Sequence, residues 1–157
     1  MAVAATGTRT PVVTGGYRRI LVPILGGPAS ERAVETACRL AAERRSTVTA
    51  LVVVEVPPAF PLDARMVDEE LEAREAFDRA ESIADAFGVS LQRRQIRARE
   101  AGTAILEELE GGAFQLVVLS APRRERLRKG AAAFGRTVQQ VLKKAPCRVL
   151  MIAPPKS

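Results

Sequence analysis

The chain has 157 residues, 47% of them hydrophobic and 27% charged, which suits one domain with a full core and no need of disulfide or metal staples. It carries a net charge of +6 and no histidine, so the commonest general base and metal ligand is absent, and with it any Ser–His or Cys–His nucleophile pair. Aromatic residues are scarce at 4%, with no tryptophan, which argues against carbohydrate or base-stacking surfaces and against specific nucleic-acid recognition.

Residues 1–16 (MAVAATGTRTPVVTGG) are small, polar and rich in Gly, Pro and Thr. They lack the charged start and apolar run of a signal peptide and read as a disordered leader, with the folded domain over 17–157. No apolar run reaches transmembrane length, so no membrane insertion is expected and the setting is cytoplasmic. Arg18 to Leu25 is a short apolar run typical of a strand buried on both faces, with Pro23 marking its end. Gly26-Gly27-Pro28 makes a turn, and Ser30 is a candidate N-cap for a helix running to about Arg44. The thiol of Cys38 falls among that helix's apolar positions and Cys147 abuts a strand. Both read as core thiols of a reducing compartment.

Thr47 to Val56 is a β-branched second strand, ended by Pro57-Pro58. After an irregular stretch, a long helix reaches about Phe87, with Leu71, Phe77, Ala80, Ala84 and Phe87 as its core stripe. Its many carboxylates read as a solvated face. Gly88 closes that helix. Ser90 to Arg97 is a third strand in which Leu91 and Ile96 alternate with arginines, the pattern of a sheet edge protected by charge. Helix Ala101–Leu109, strand Leu116–Leu119, helix Arg136–Lys144 and strand Arg148–Ile152 follow. Strands alternate with helices and no hairpin signal joins any pair. The expected fold is therefore α/β, a single doubly wound five-stranded parallel sheet with helices on both faces.

In such a sheet ligands sit outside the carboxyl ends of the strands, where the winding reverses. The first strand is the natural switch point, between the second and the fourth. The crevice is then expected to be lined by Pro23, Ile24, Leu25 and Gly26, by Val53, by Leu119, Ser120, Arg123 and Arg124, and by Gly135, Arg136 and Thr137. Between Ala121 and Arg136 stand six cations, Arg123, Arg124, Arg126, Arg128, Lys129 and Arg136, against Glu125 alone. That local charge of +5 is nearly the whole net charge. A strand end facing a helix N-terminus, with arginines between them, suits a phosphate. Asp and Glu near the crevice look few, so Mg²⁺ would be held through phosphates and water.

The chain resembles the universal stress protein family over Tyr17 to Ala153, through YRRILVPILGGPASERAVETA, LVVVEVP, AGTAILEELE, FQLVVLS and FGRTVQQVLKKAPCRVLMI. The resemblance implies a strand order of 3-2-1-4-5, binding of ATP or AMP in the crevice, and a homodimer through the fifth strand. The family's nucleotide motif is glycine, two residues, glycine, nine residues, then glycine followed by Ser or Thr. Gly135 matches its last glycine, with Arg136 in the hydroxyl position and Thr137 next. Counting back, the other two glycine positions fall on Pro122 and Glu125, and Leu25 stands where an acidic residue usually ends the first strand. With Ser120 placed at the first position instead, the loop carries two extra residues and Arg123 replaces the second glycine, and the arginines of the loop would substitute charged donors for backbone amides.

Three functions follow. The first is a nucleotide-binding regulatory or stress-response protein holding ATP, AMP or a cyclic form, acting on an unidentified protein partner. The second is a dimeric interaction module without nucleotide, related to a transporter's cytoplasmic regulatory domain. The third is an enzyme of the ATP-pyrophosphatase type, whose S-G-G-x-D-S loop is matched by Leu25-Gly26-Gly27-Pro28-Ala29-Ser30 only at the two glycines and the last serine. No residue set amounts to catalytic machinery, and the chain reads as no enzyme beyond slow ATP hydrolysis.

Overall fold

The computed structural model describes residues 17–121 and 135–153. Arg123, Arg124, Arg126, Arg128, Lys129 and Gly130 of the basic stretch lie outside the described residues, as does the leader. Among the described residues nine elements alternate: β1 (Arg19–Pro23), α1 (Pro28–Arg44), β2 (Thr47–Glu55), α2 (Val67–Ala86), β3 (Leu91–Ala98), α3 (Ala101–Gly111), β4 (Leu116–Ser120), α4 (Gly135–Lys144) and β5 (Arg148–Ile152). The strands form one all-parallel sheet in the order β3-β2-β1-β4-β5. This is the doubly wound arrangement read from the alternation of the chain.

Because β1 and β4 are buried on both faces, each contributes side chains to two cores. On one face Ile20, Val22, Leu116 and Val118 pack against α1 (Ala33, Val34, Ala37, Cys38, Ala41) and α2 (Ala73, Phe77, Ala80, Ala84). On the other, Leu21, Leu51, Val117 and Leu119 meet α3 (Ile105, Leu109) and α4 (Val138, Val141). The helices of the first core present many alanines, which lets them lie close to the sheet. Cys38 is buried there, and desolvation pushes its thiol up to about 11, while Cys147 is half-buried and shifted in the same direction. Leu71 does not join the stripe of α2, for it is 52% exposed. Ala73 takes the inward position, since helical spacing puts it in phase with Phe77, Ala80 and Ala84 and carries Leu71 to the outer side.

Pro23 decides where the sheet opens. Peptide groups of a strand alternate between its two neighbours. Thr47 N–H donates to Arg18 C=O and Ile24 N–H to Leu51 C=O, whereas Gln115 N–H donates to Arg19 C=O. Even-numbered residues of β1 thus face β2 and odd-numbered ones face β4. The proline nitrogen points at β4 with nothing to donate, and the β1–β4 ladder stops just before it, at Leu21–Val117. Beyond that point β4 stays with β5, Ala121 N–H donating to Ile152 C=O at 2.9 Å.

The turn after β1 is tied down by Ser30. The serine is not the N-cap: the helix starts at Pro28 after Gly27, which leaves Ser30 inside the first turn and 3% exposed. Its Oγ accepts from Leu25 N–H and donates to Gly26 C=O, both at 3.1 Å. Gly26 and Gly27 hold φ of 95° and 80°, which side-chain-bearing residues rarely adopt, so the turn needs both glycines. On the other face of the sheet α3 and α4 approach closely. A Cβ on Gly102 would lie 2.2 Å from Gln140 Oε1, and Gln140 in turn donates to Thr103 Oγ1 at 3.1 Å.

Two arginines of the β3 edge do more than repel other sheets. Arg97 bonds Ala64 C=O and the carboxylate of Glu70, and Arg99 Nη1 donates to the carbonyls of Val56 (3.2 Å), Pro57 (2.7 Å) and Phe60 (2.8 Å). Glu70 also accepts from Met66 N–H at 3.0 Å. That backbone bond, with the Arg97 bond and charge, holds the Glu70 carboxyl below its ordinary 4.5. Glu81 is lowered in the same way by Arg93, which bonds it at 2.9 Å and 2.8 Å.

Two outcomes are expected. Ser30→Ala leaves the Leu25 amide without its protein acceptor and should cost about 1–2 kcal/mol in urea unfolding, with an unchanged m-value; equal midpoints would contradict the tie. Since the folded-state values of Glu70 and Glu81 lie below 4.5, their stabilisation is present above the unfolded-state value and is lost as pH falls through the folded-state one. Melting temperature should therefore fall on acidification below about pH 4.5, and Glu70→Gln should flatten that fall, which parallel acid titrations of the two proteins would check.

Candidate functional site

The opening between β1 and β4 is a crevice of about 1050 Å³ at the carboxyl ends of the strands. Such a volume is at the upper end of the range of small-molecule sites. Its floor is the end of β1 and the turn after it (Pro23, Ile24, Leu25, Gly26) with Val53 of β2. One side is Ser120 and Ala121 at the end of β4, and facing them is the start of α4, Gly135, Arg136 and Thr137. Nine of the residues expected there from the sequence thus line one cavity. Leu119 does not: it is 0% exposed and packs with Leu21, Leu51 and Ile105 in the α3–α4 core, because alternate strand residues point to opposite faces. Arg123 and Arg124 lie outside the described residues.

The floor offers a specific hydrogen-bonding edge. Thr47 N–H bonds β1, while Val48 and Val56 N–H bond β3, so odd-numbered residues of β2 face β1. Val53 therefore points its N–H and C=O toward β1 at a level the first strand no longer occupies, since β1 pairs with β2 only up to Pro23–Leu51 and Ile24 N–H takes the Leu51 carbonyl. A donor and an acceptor side by side, on an apolar floor of Pro23, Ile24 and a 38%-exposed Leu25, suit a flat heteroaromatic ring. Across the crevice the N-terminus of α4 aims its first N–H groups inward, and Arg136 and Gly135 stand at that end. The dipole and the guanidinium both favour an anion there.

Residues not foreseen from the sequence also border the crevice. Glu55, at the end of β2, accepts from Ala101 N–H at 2.8 Å and thereby occupies the N-terminus of α3, so that helix end is already satisfied. Glu69, Glu72 and Glu75 of α2 form part of the far wall with Glu31, which pairs with Arg79 at 3.3 Å. The expectation of few carboxylates near the crevice is therefore corrected. The helical spacing of the α2 carboxylates was visible in the sequence, but not which turn faces the opening. Among the described residues no three His, Cys, Asp or Glu side chains converge into a metal-ligating group. On the α1–α2 side four carboxylates, Glu31, Glu69, Glu72 and Glu75, outnumber the two cations Arg32 and Arg79, while the α4 side carries Arg136.

Comparison with known proteins agrees with this architecture. The family model described as the universal stress protein family matches residues 16–153. A universal stress protein of Methanocaldococcus jannaschii is 28% identical over 146 residues, covering 89% of this chain and 84% of that protein. Among solved structures, universal stress protein UspA from Lactobacillus plantarum superposes with a TM-score of 0.70 at 25% identity, over 87% of this chain and 98% of that one. The universal stress protein from Archaeoglobus fulgidus in complex with dAMP does so with a TM-score of 0.68 at 20% identity, over 87% and 98% of the two chains. With the strand order, the crevice and a family match spanning every element of the sheet, the chain belongs to the universal stress protein family.

Proposed function

We propose that this chain binds an adenine nucleotide in the β1–β4 crevice and acts as a regulatory protein whose occupied and empty states differ toward a partner. The observation that carries the reading is the pairing of two unlike ends in one cavity. Val53 offers a peptide donor and acceptor, and the α4 N-terminus with Arg136 offers an anion site. Adenine presents N6–H as donor beside N1 as acceptor, the complement of Val53 C=O and N–H. Guanine presents O6 and N1–H, the reverse order, and would set acceptor against acceptor. The ribose then spans the opening and the phosphate reaches Gly135, Arg136 and Thr137. The dAMP complex of the Archaeoglobus fulgidus relative supports an adenine ligand for this fold.

Arg123 and Arg124, which follow Ala121 by two and three positions in the sequence, are proposed as further phosphate contacts in place of the missing glycines. Monophosphate, triphosphate and cyclic forms all satisfy the base and the first phosphate. Any Mg²⁺ would come with the phosphates, since the crevice carboxylates are spread along three elements. Catalysis beyond slow hydrolysis is not proposed: the chain has no histidine, and the crevice serine, Ser120, has no histidine to activate it. A homodimer through β5 belongs to the same reading. Val149, Leu150, Met151 and Ile152 are half-buried on an edge strand with one side of its ladder unpaired. Two free thiols, one buried, suit a reducing cytoplasm.

The test is thermal stabilisation, because a ligand that binds only the native state raises its stability by mass action. AMP, ATP or cyclic AMP at about 100 times its dissociation constant should add about 2.7 kcal/mol, whereas GMP at equal concentration should add little. Arg136→Ala together with Arg123→Ala and Arg124→Ala should weaken nucleotides while leaving adenosine nearly unaffected. A melting temperature indifferent to every adenine nucleotide would sink the reading and leave a dimeric interaction module. Sedimentation should show a dimer that Leu150→Asp separates, and a monomer at high concentration would contradict the β5 contact.

A further inference from the structure

Exposed large apolar side chains are unevenly distributed. Among the described residues six are well exposed, and four of these, Phe60 (51%), Leu62 (44%), Val67 (61%) and Leu71 (52%), fall within twelve residues. Those residues form the connector between β2 and α2 and the first two turns of α2. Single exposed apolar residues need no explanation, but a run of four on one short segment does.

The segment is not loose chain whose side chains happen to be solvated. Two turns fold it, Phe60 N–H donating to Pro57 C=O at 3.0 Å and Ala64 N–H to Pro61 C=O at 2.9 Å. Arg99 gathers the carbonyls of Val56, Pro57 and Phe60 onto one guanidinium nitrogen, and Arg97 binds Ala64 C=O and Glu70. Arg97 near the end of β3 and Arg99 just past it both bond carbonyls of the connector, drawing its backbone onto the sheet edge. Its polar main chain is thereby satisfied inward while its apolar side chains stay outward. Val67 and Leu71, one helical turn apart, continue the same outward exposure along α2.

Charge surrounds this apolar run. From Phe60 to Glu75 there are six carboxylates, Asp63, Asp68, Glu69, Glu70, Glu72 and Glu75, against Arg65 and Arg74 and against Arg97 and Arg99 bonded to the same segment, which leaves a local net of −2 in a chain of net +6. We propose that the β2–α2 connector and the first two turns of α2 form a docking surface for a cationic amphipathic segment of another protein. Its apolar positions meet Phe60, Leu62, Val67 and Leu71, and its Lys or Arg residues meet the surrounding carboxylates. A negatively charged lipid surface would be repelled by the same charge, so the partner is a protein segment. Preorganisation by Arg97 and Arg99 lowers the ordering cost of binding. The surface adjoins the crevice, since Glu69, Glu72 and Glu75 of the same helix line it.

The test uses the full chain and three synthetic helical peptides of about eighteen residues (the length of a typical helix): an amphipathic Leu/Lys peptide, a scrambled version with its leucines dispersed, and a Leu/Glu counterpart. Calorimetry should show the Leu/Lys peptide binding, the scrambled one at least tenfold more weakly and the Leu/Glu one not at all. Val67→Ser with Leu71→Ser removes two exposed anchors and should weaken the Leu/Lys peptide at least about tenfold with an unchanged melting temperature. Asp63→Lys with Asp68→Lys should weaken it too and reduce its salt dependence. Absence of binding, equal binding of all three peptides, or binding indifferent to both double variants overturns the proposal. So does self-association that the Val67–Leu71 variant abolishes, which would assign the face to a second copy, or flotation with anionic vesicles, which would assign it to membrane.

Discussion

One missing N–H shapes this molecule. Pro23 faces β4 with no hydrogen to give, so the central ladder ends at Leu21–Val117 while the flanking strands run on. A sheet continued by one more pair would have closed β1 against β4 and sealed the space that is now a crevice of about 1050 Å³. Everything bordering that space follows from the early stop. Ile24 still completes the bond to Leu51, Leu25 turns away under the hold of Ser30, and Val53 is left with its peptide group facing an absent neighbour. Position in the topology adds the rest, because parallel strands with right-handed crossovers bring helix N-termini to the same edge.

Those helix ends are not equivalent. The start of α3 is occupied by Glu55, and the first turn of α1 carries Glu31, whereas α4 opens with Gly135 and Arg136. Among the described residues, the start of α4 is the one that brings a cation to the crevice without a carboxylate in its first turn. The excess of carboxylates over Arg32 and Arg79 on the α1–α2 wall favours a proposed anion at the α4 side. The polarity of the crevice arises from a few side chains at element ends, superimposed on a backbone geometry that would otherwise favour anions at several places.

Much of this architecture was legible in the amino-acid order, for physical reasons that differ by element. Continuous apolar runs at Ile20–Val22 and Leu116–Leu119 reveal strands buried on both faces, and glycines and prolines punctuate them. That the strand ends and Gly135–Thr137 border one crevice follows from topology. Leu119 was misassigned because the sequence shows that a strand is buried but not which face each residue takes. Ser30 looks like a cap in the string and is instead a tie, since the cap is Gly27 and the helix starts three residues earlier than a Ser30 cap would place it. Leu71 lies out of phase with the stripe by spacing alone, nine residues before Ala80 and therefore on the opposite side of the helix. The clamp by Arg97 and Arg99 had no sequence signal beyond edge-strand charge, because its acceptors are carbonyls, which every residue carries. Glu55 and the α2 wall were equally hidden: their roles depend on which helix end lies opposite.

The central claim is that the peptide of Val53 and the first turn of α4 hold opposite ends of one adenine nucleotide. Amide chemical shifts of the isotopically labelled protein, followed while AMP is added, address it most directly. The account predicts saturable shifts at Val53 together with Gly135, Arg136 and Thr137. It also predicts that adenosine moves Val53 without the α4 amides, and that GMP leaves Val53 still. Shifts confined to β5 or to the α2 surface, with Val53 and the start of α4 unmoved, would contradict it.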